Sequence, residues 1–188
     1  MPTLEEYQEQ AQSVLNNTSD EVKICLSRIK ADLLYPPFLE RIVTTLEALL
    51  EEGYQFWGTT GLRTVDEQNA IYQIGRRGIE GEHVKTTEKG GWSAHQYGIA
   101  IDFAYNTKPD QPGLHPSWDV PHLKLLADKA VENGLESGLL WATMPDGPHI
   151  QFPIRARKIS PRNQLLTAYN QGGLINVFEW LDEQNWDE

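Results

Sequence analysis

The stretch Gly90-Gly91-Trp92-Ser93-Ala94-His95-Gln96-Tyr97-Gly98-Ile99-Ala100-Ile101-Asp102-Phe103-Ala104-Tyr105 decides the fold. It opens on a glycine pair, a chain-reversal signal, and closes on the apolar run Ile99, Ala100, Ile101 and Phe103, which predicts a buried strand. Asp102 lies inside that run, where an unpaired carboxylate would cost several kcal/mol to bury. A metal or a cationic partner removes that cost, and His95 offers a second ligand seven residues earlier. Taken alone, the pair admits a plainer reading, with Asp102 capping a turn and His95 an ordinary surface histidine.

A second segment weighs against that plainer reading. Trp141-Ala142-Thr143-Met144-Pro145-Asp146-Gly147-Pro148-His149-Ile150-Gln151-Phe152 places Asp146 three residues before His149. Two histidines and one aspartate form a nitrogen and oxygen ligand set suited to one zinc ion. Three protein ligands leave the fourth tetrahedral position open to water, the mark of a catalytic site. Asp146 then remains as a carboxylate that can take a proton from that water as a general base.

The pattern Ser93-x-His95-x-x-Gly98-x-Ala100-x-Asp102, followed by Asp146-x-Pro148-His149, resembles the zinc peptidases that cut peptidoglycan stem peptides. That group includes D-Ala-D-Ala carboxypeptidases and dipeptidases and the L-alanyl-D-glutamate endopeptidases of phage endolysins. The resemblance continues upstream through Gly61-Leu62-Arg63-Thr64 and Gln68, then Gly75-Arg76 and the segment of Gly81, Val84 and Thr86, and covers residues 35–153. It implies that His95, Asp102 and His149 bind zinc, that Asp146 is the base, and that Arg63 faces the metal and helps hold the substrate or the developing oxyanion. A structural ion pair is the alternative for Arg63. Ser93 is expected as a hydrogen-bonding substrate residue near the ligands. It is not a nucleophile, because neither a nucleophile turn nor an acid to orient His95 is visible. Gln68, one turn into a helix, is expected to support Arg63.

The sequence departs from the endopeptidase pattern at Ser137, Leu139-Leu140, Met144 and Ile150. These positions spare the ligands and the base but alter the expected pocket lining. The L-Ala-D-Glu bond is the first choice of substrate. The alternatives are a D-Ala-D-Ala carboxypeptidase or dipeptidase and, from another class, a non-catalytic zinc-containing binding module such as the Hedgehog signalling domain, which shares this architecture.

Composition bounds the remaining possibilities. At 188 residues, 39% apolar with six Trp, the chain is long enough for one domain with a substantial core. A net charge of −11 argues against nucleic acid, which requires a basic surface. No run of eighteen apolar residues suggests membrane insertion. The first twenty residues lack the basic start and apolar core of a secretory signal. Cys25 has no partner for an internal disulfide. The expectation is a monomer made in the cytoplasm, as a phage-type endolysin is, that acts on the cell wall after release.

Elsewhere, helical spacing predicts a helix over residues 4–15. A second, starting near Thr18-Ser19-Asp20, carries Val22, Leu26, Ile29 and Leu33, and a third beyond Pro36-Pro37 carries Phe38, Ile42, Leu46 and Leu49 up to a stop at Gly53. Residues 54–59 read as a strand. Thr64 and Glu67 have capping-box spacing for a helix over 65–76, and residues 75–91 read as a loop forming one wall of a cleft. His83 is expected in solvent, with His115 and His122 as weaker rivals for the metal. Residues 118–133 read as a helix ended by Gly134. A tail helix starting at Ser160-Pro161 and a last one after Gly172-Gly173 complete the chain, with Trp180 and Trp186 expected at the surface. The expected fold is α+β: a small, mainly antiparallel sheet carrying the metal site, with residues 1–34 as a helical extension, 35–153 as the zinc peptidase core and 154–188 as a helical tail.

Overall fold

A computed structural model describes residues 2–154, 162–184 and 186. The architecture is α+β, with seven α-helices and one antiparallel sheet among the described residues.

Helix α1 (Leu4–Asn16) starts on a Thr3–Glu6 capping box and buries Tyr7 and Ala11. Helix α2 (Asp20–Leu26) is capped by Ser19 but is shorter than its apolar spacing predicts. The Ser27 hydroxyl donates to the Ile24 carbonyl, a local bond that competes with helix continuation, and Leu33 falls instead in a 3-10 turn. Helix α3 (Pro36–Glu51) begins on the proline pair rather than after it, because a first-turn proline gives up an N–H that had no helical partner anyway. It ends at Gly53, whose φ is +86°.

Strand β1 (Phe56–Thr60) leads to helix α4 (Val65–Gln73), which starts on the expected Thr64–Glu67 capping box and stops at Ile74, three residues early. Residues 75–91 contain no helix or strand. Strand β2 (Ala100–Asn106) is followed by β3 (Pro116–Ser117), helix α5 (Val120–Glu132) capped by Asp119, β4 (Glu136–Ser137) and β5 (His149–Gln151). Asp146 therefore sits in the loop before β5 and not in a strand. Helices α6 (Arg162–Gly172) and α7 (Leu174–Asp182) close the chain, and the Ser160-Pro161 start lies outside the described residues.

The sheet runs β1-β2-β5-β4 with β3 added to β2, and every pairing is antiparallel. The apolar end of the stretch 90–105 thus forms the central strand, β2, buried as its apolar run predicts. One continuous core joins it to α1, α2, α3 and α7. Phe178 of α7 meets Tyr7 and Tyr35 at ring distances of 5.2 and 5.4 Å, and both phenols donate to Asp182. Trp180 and Trp186 are half-buried rather than exposed, since Trp186 packs on Phe152 and Trp180. Cys25 is core filler, and burial pushes its thiol up to about 12, which leaves it unreactive.

Gly98 explains one fixed position of the motif. Its φ is +68°, and a Cβ there would lie 2.9 Å from the Leu33 carbonyl. Its own carbonyl accepts from Tyr35 N–H at 2.9 Å. The turn carrying His95 is thereby locked against the segment that enters α3.

Candidate metal centre

The antiparallel register places Asp102 of β2 directly opposite His149 of β5. On the other side, β1 carries an irregularity between Gly58 and Thr60, where Thr60 comes to face Asp102. His95 stands in the 3-10 turn (Ala94–Tyr97) just before β2. Sheet pairing and one turn therefore bring together residues far apart in sequence. His95 Nε2 and His149 Nδ1 lie 3.2 and 3.1 Å from the same atom, Asp102 Oδ1. The three ligand atoms fall within 4.8 Å of one another.

The outward-facing nitrogens are also engaged. His95 Nδ1 lies 2.9 Å from the Gly61 carbonyl, which can only accept, so Nδ1 carries the hydrogen and Nε2 is free to ligate. His149 Nε2 lies 2.9 Å from Gln151 Oε1, and Gln151 Nε2 donates to Glu136 at 2.9 Å. Two imidazole nitrogens, each ring held from behind, and one carboxylate fit a divalent ion that accepts nitrogen and oxygen ligands. Among the described residues no other cluster of this kind occurs. His115 and His122 do not join it: His122 stacks on Tyr105 at 3.7 Å and bonds Asp119. His83 is exposed, as expected.

The electrostatics follow from this crowding. Burial alone would raise the Asp102 carboxyl, but the His95 charge and hydrogen bonds from His149 and His95 hold it well below the ordinary carboxylate range. Burial likewise works against charge on His149, and the bond to Asp102 reverses it, so His149 is raised.

These residues line a cleft of about 550 Å³, within the usual size range for a small-molecule or peptide site. Asp146 is on its rim. Although the residue is exposed, partial desolvation in the cleft and then the Asp102 charge push its carboxyl above the ordinary range, against His149, His95 and Arg63. The Asp146 N–H donates to the Gly138 carbonyl and its own carbonyl accepts from His149 N–H, so Asp146 and His149 are tied together through one short loop. Arg63 lines the cleft with Nη2 3.7 Å from Asp102 Oδ2. Its Nη1 donates to Gln68 Oε1 at 2.6 Å, the supporting role expected of Gln68. Ser93 is buried on the same cleft. Lys85–Glu88 supplies the loop wall, while Trp141 adds an aromatic face 5.2 Å from the His149 ring.

Sequence reasoning did not find Gln151 and Glu136. The alternation His149-x-Gln151 was the available signal for the first, because residues two apart on a strand share a face. Nothing local marked Glu136, which meets Gln151 only across the β4–β5 pairing.

Comparison with known proteins places the site in context. Residues 86–152 match the family described as D-alanyl-D-alanine carboxypeptidase, a span that holds His95, Asp102, Asp146 and His149 but leaves out Arg63 and Gln68. The chain is 28% identical over 129 residues to the peptidoglycan L-alanyl-D-glutamate endopeptidase CwlK of Bacillus subtilis, covering 63% of this chain and 73% of that protein. Among solved structures it is similar to the L-Ala D-Glu endopeptidase ChiX of Serratia marcescens, at 20% identity and a TM-score of 0.48, over 80% of this chain and 91% of that one. It is also similar to the LD-carboxypeptidase LdcB, at 19% identity and a TM-score of 0.46, over 72% and 71%.

Proposed function

We propose that this chain is a zinc-dependent peptidoglycan peptidase, similar to the family described as D-alanyl-D-alanine carboxypeptidase and to an L-alanyl-D-glutamate endopeptidase, and that it hydrolyses the L-alanyl-D-glutamate bond of stem peptides. One observation carries the reading: two imidazole nitrogens converge on a single carboxylate oxygen inside a cleft that the Asp146 carboxylate also lines. His95, Asp102 and His149 would hold one zinc ion. Zinc, when bound, supplies a Lewis acid that activates water and polarises the scissile carbonyl.

The chain's own residues do the rest. Asp146 accepts the proton of the attacking water and returns it to the leaving amine. As a carboxylate it offers the acceptor oxygens that a general base needs. Arg63, braced by Gln68, directs N–H donors toward the carbonyl oxygen as charge develops. Ser93 holds the peptide by a hydrogen bond at the cleft. The endopeptidase bond is favoured by the 28% relative, whose name states it. The family description favours terminal D-Ala as the second reading, and Met144 on the cleft wall is one place where the pocket lining differs from the endopeptidase pattern. A phage-type lysis role goes with the first reading, on the pattern shared with that group. Among the described residues no helix is long and apolar enough to cross a membrane.

The deciding experiment is mass spectrometry of purified peptidoglycan digested by the zinc-loaded protein, with Asp146→Ala as control. New L-Ala and D-Glu ends absent from the control support the endopeptidase and its base together. Loss of terminal D-Ala alone moves the assignment to the carboxypeptidase. No cleavage with zinc bound leaves a binding module.

A further inference from the structure

We infer that Gln151 and Glu136 are positioning residues: their hydrogen-bond chain fixes which nitrogen of His149 faces the metal. The inference rests on the metal reading of the site above, and it concerns residues that no ligand motif contains.

The direction of the chain is dictated by its far end. The Glu136 carboxylate, ionised, can only accept, so the group it meets at 2.9 Å is the Gln151 amide nitrogen. That leaves the amide oxygen facing His149 Nε2 at 2.9 Å, so Nε2 carries a hydrogen. The neutral ring holds one hydrogen, and Nδ1 is therefore the nitrogen with a free lone pair. Nδ1 is also the atom 3.1 Å from Asp102 Oδ1. Reversing the amide would set two donors against each other at one end or two acceptors at the other.

The surroundings make this orientation binding. Gln151 is 2% exposed and His149 6% exposed, so water does not readily replace a lost partner. Gln151 is also fixed at its backbone, being paired with Ala100 on one side and Glu136 on the other. Glu136 thus acts on the metal site from the edge strand, through one amide, without touching a ligand. Metal-bound histidines that lose such a partner typically lose about 10–100-fold in metal affinity.

The test is zinc affinity by chelator competition for wild type, Gln151→Leu, Gln151→Glu and the exchange Glu136→Gln/Gln151→Glu. Gln151→Leu is expected to bind zinc about 10–100-fold more weakly. Gln151→Glu alone sets two carboxylates against each other. The exchange restores an acceptor for His149 and a donor for that acceptor, and should bind zinc more tightly than either single variant. Nitrogen-15 NMR of the zinc-loaded wild type should show His149 bound through Nδ1 with Nε2 protonated.

Wild-type affinity in Gln151→Leu would overturn the inference. So would an exchange variant no tighter than Gln151→Leu, or zinc on Nε2. Rescue by the exchange excludes simple misfolding, which a second substitution in the same strand pair would deepen. A protein that passes these tests but cuts no stem peptide refutes the peptidase reading and keeps the relay. A wild type that binds no zinc refutes both.

Discussion

Arg63 enters the cleft with its guanidinium already braced, because Gln68 Oε1 accepts from Nη1 at 2.6 Å. Gln68 is 1% exposed, and its amide nitrogen donates in turn to the Glu88 carbonyl at 2.6 Å. The loop wall, a helix residue and the cleft arginine are therefore one connected unit. Its backbone is tied to the ligand turn as well, since Arg63 N–H donates to the His95 carbonyl.

Arg63→Ala should lower kcat/KM by about 10²–10³-fold, the usual cost of one oxyanion donor. Arg63→Lys should recover little, because an ammonium lacks the planar fork that Gln68 braces. Gln68→Leu should lower kcat/KM less than Arg63→Ala does. Bound zinc should be unchanged throughout, since none of these variants removes a ligand. Steady-state kinetics with metal analysis checks this. Loss of zinc in Gln68→Leu would show that the residue supports the metal site instead.

Metal removal should separate structure from chemistry. A chelator is expected to abolish cleavage and lower the melting temperature, with zinc restoring both. Zinc at 100 times its dissociation constant would add about 2.7 kcal/mol of stability. His149→Ala should lose the metal and with it the response to added zinc. Asp146→Asn should keep that thermal response and still cleave about 10²–10⁴-fold more slowly. Differential scanning calorimetry with and without zinc distinguishes the two variants.

The candidate pair His95 and Asp102 was legible because its spacing is set by one strand and its entry turn. His95 and Asp102 are joined by Gly98, where a left-handed backbone and a 2.9 Å approach to Leu33 leave no room for a side chain. The central strand was legible from Ile99 to Phe103 as an apolar run that only Asp102 interrupts, and α4 from its capping box. What could not be read was pairing across strands. β4 is only two residues long, too short to show a period, so Glu136 carried no signal until the register set it beside Gln151. The early end of α2 was hidden for a related reason, because Ile29 and Leu33 keep the helical spacing while packing as a turn. Ile29 lies against β1, where a Cβ on Gly58 or Gly61 would meet it at 3.3 or 3.2 Å.

Gly138 should prove as intolerant as any ligand. A Cβ there would lie 2.5 Å from the Asp146 carbonyl and 3.1 Å from the Cβ atoms of Asp146 and His149. The Gly138 carbonyl accepts the Asp146 N–H, so the loop cannot retreat without releasing Asp146. Gly138→Ala is expected to lower both kcat and zinc affinity. Gly53→Ala, which meets nothing within 4 Å and bears only the cost of its positive φ, should lower stability and spare both. Zinc titration and kinetics on the pair check the contrast.

Alkali should unfold the protein through its buried phenols. Burial first, and then the hydrogen bond to Asp182 and its charge, raise Tyr7 and Tyr35 well above the ordinary phenol value of 10.0. Burial also raises Tyr97, whose hydroxyl donates to the Gly91 carbonyl, with Arg162 opposing and Glu88 adding to the shift. A folded-state pKa above the unfolded one means that the native state holds its proton longer. The resulting stability is complete below about pH 10, and it is lost as pH rises from there toward the folded values. Absorbance at 295 nm should therefore show these three phenols ionising together with the loss of near-ultraviolet circular dichroism. Phe178, which packs against both Tyr7 and Tyr35, makes α7 the element that this transition releases. Three phenols titrating near pH 10 with the dichroism intact would mean that the clasp between the chain's two ends does not hold in solution.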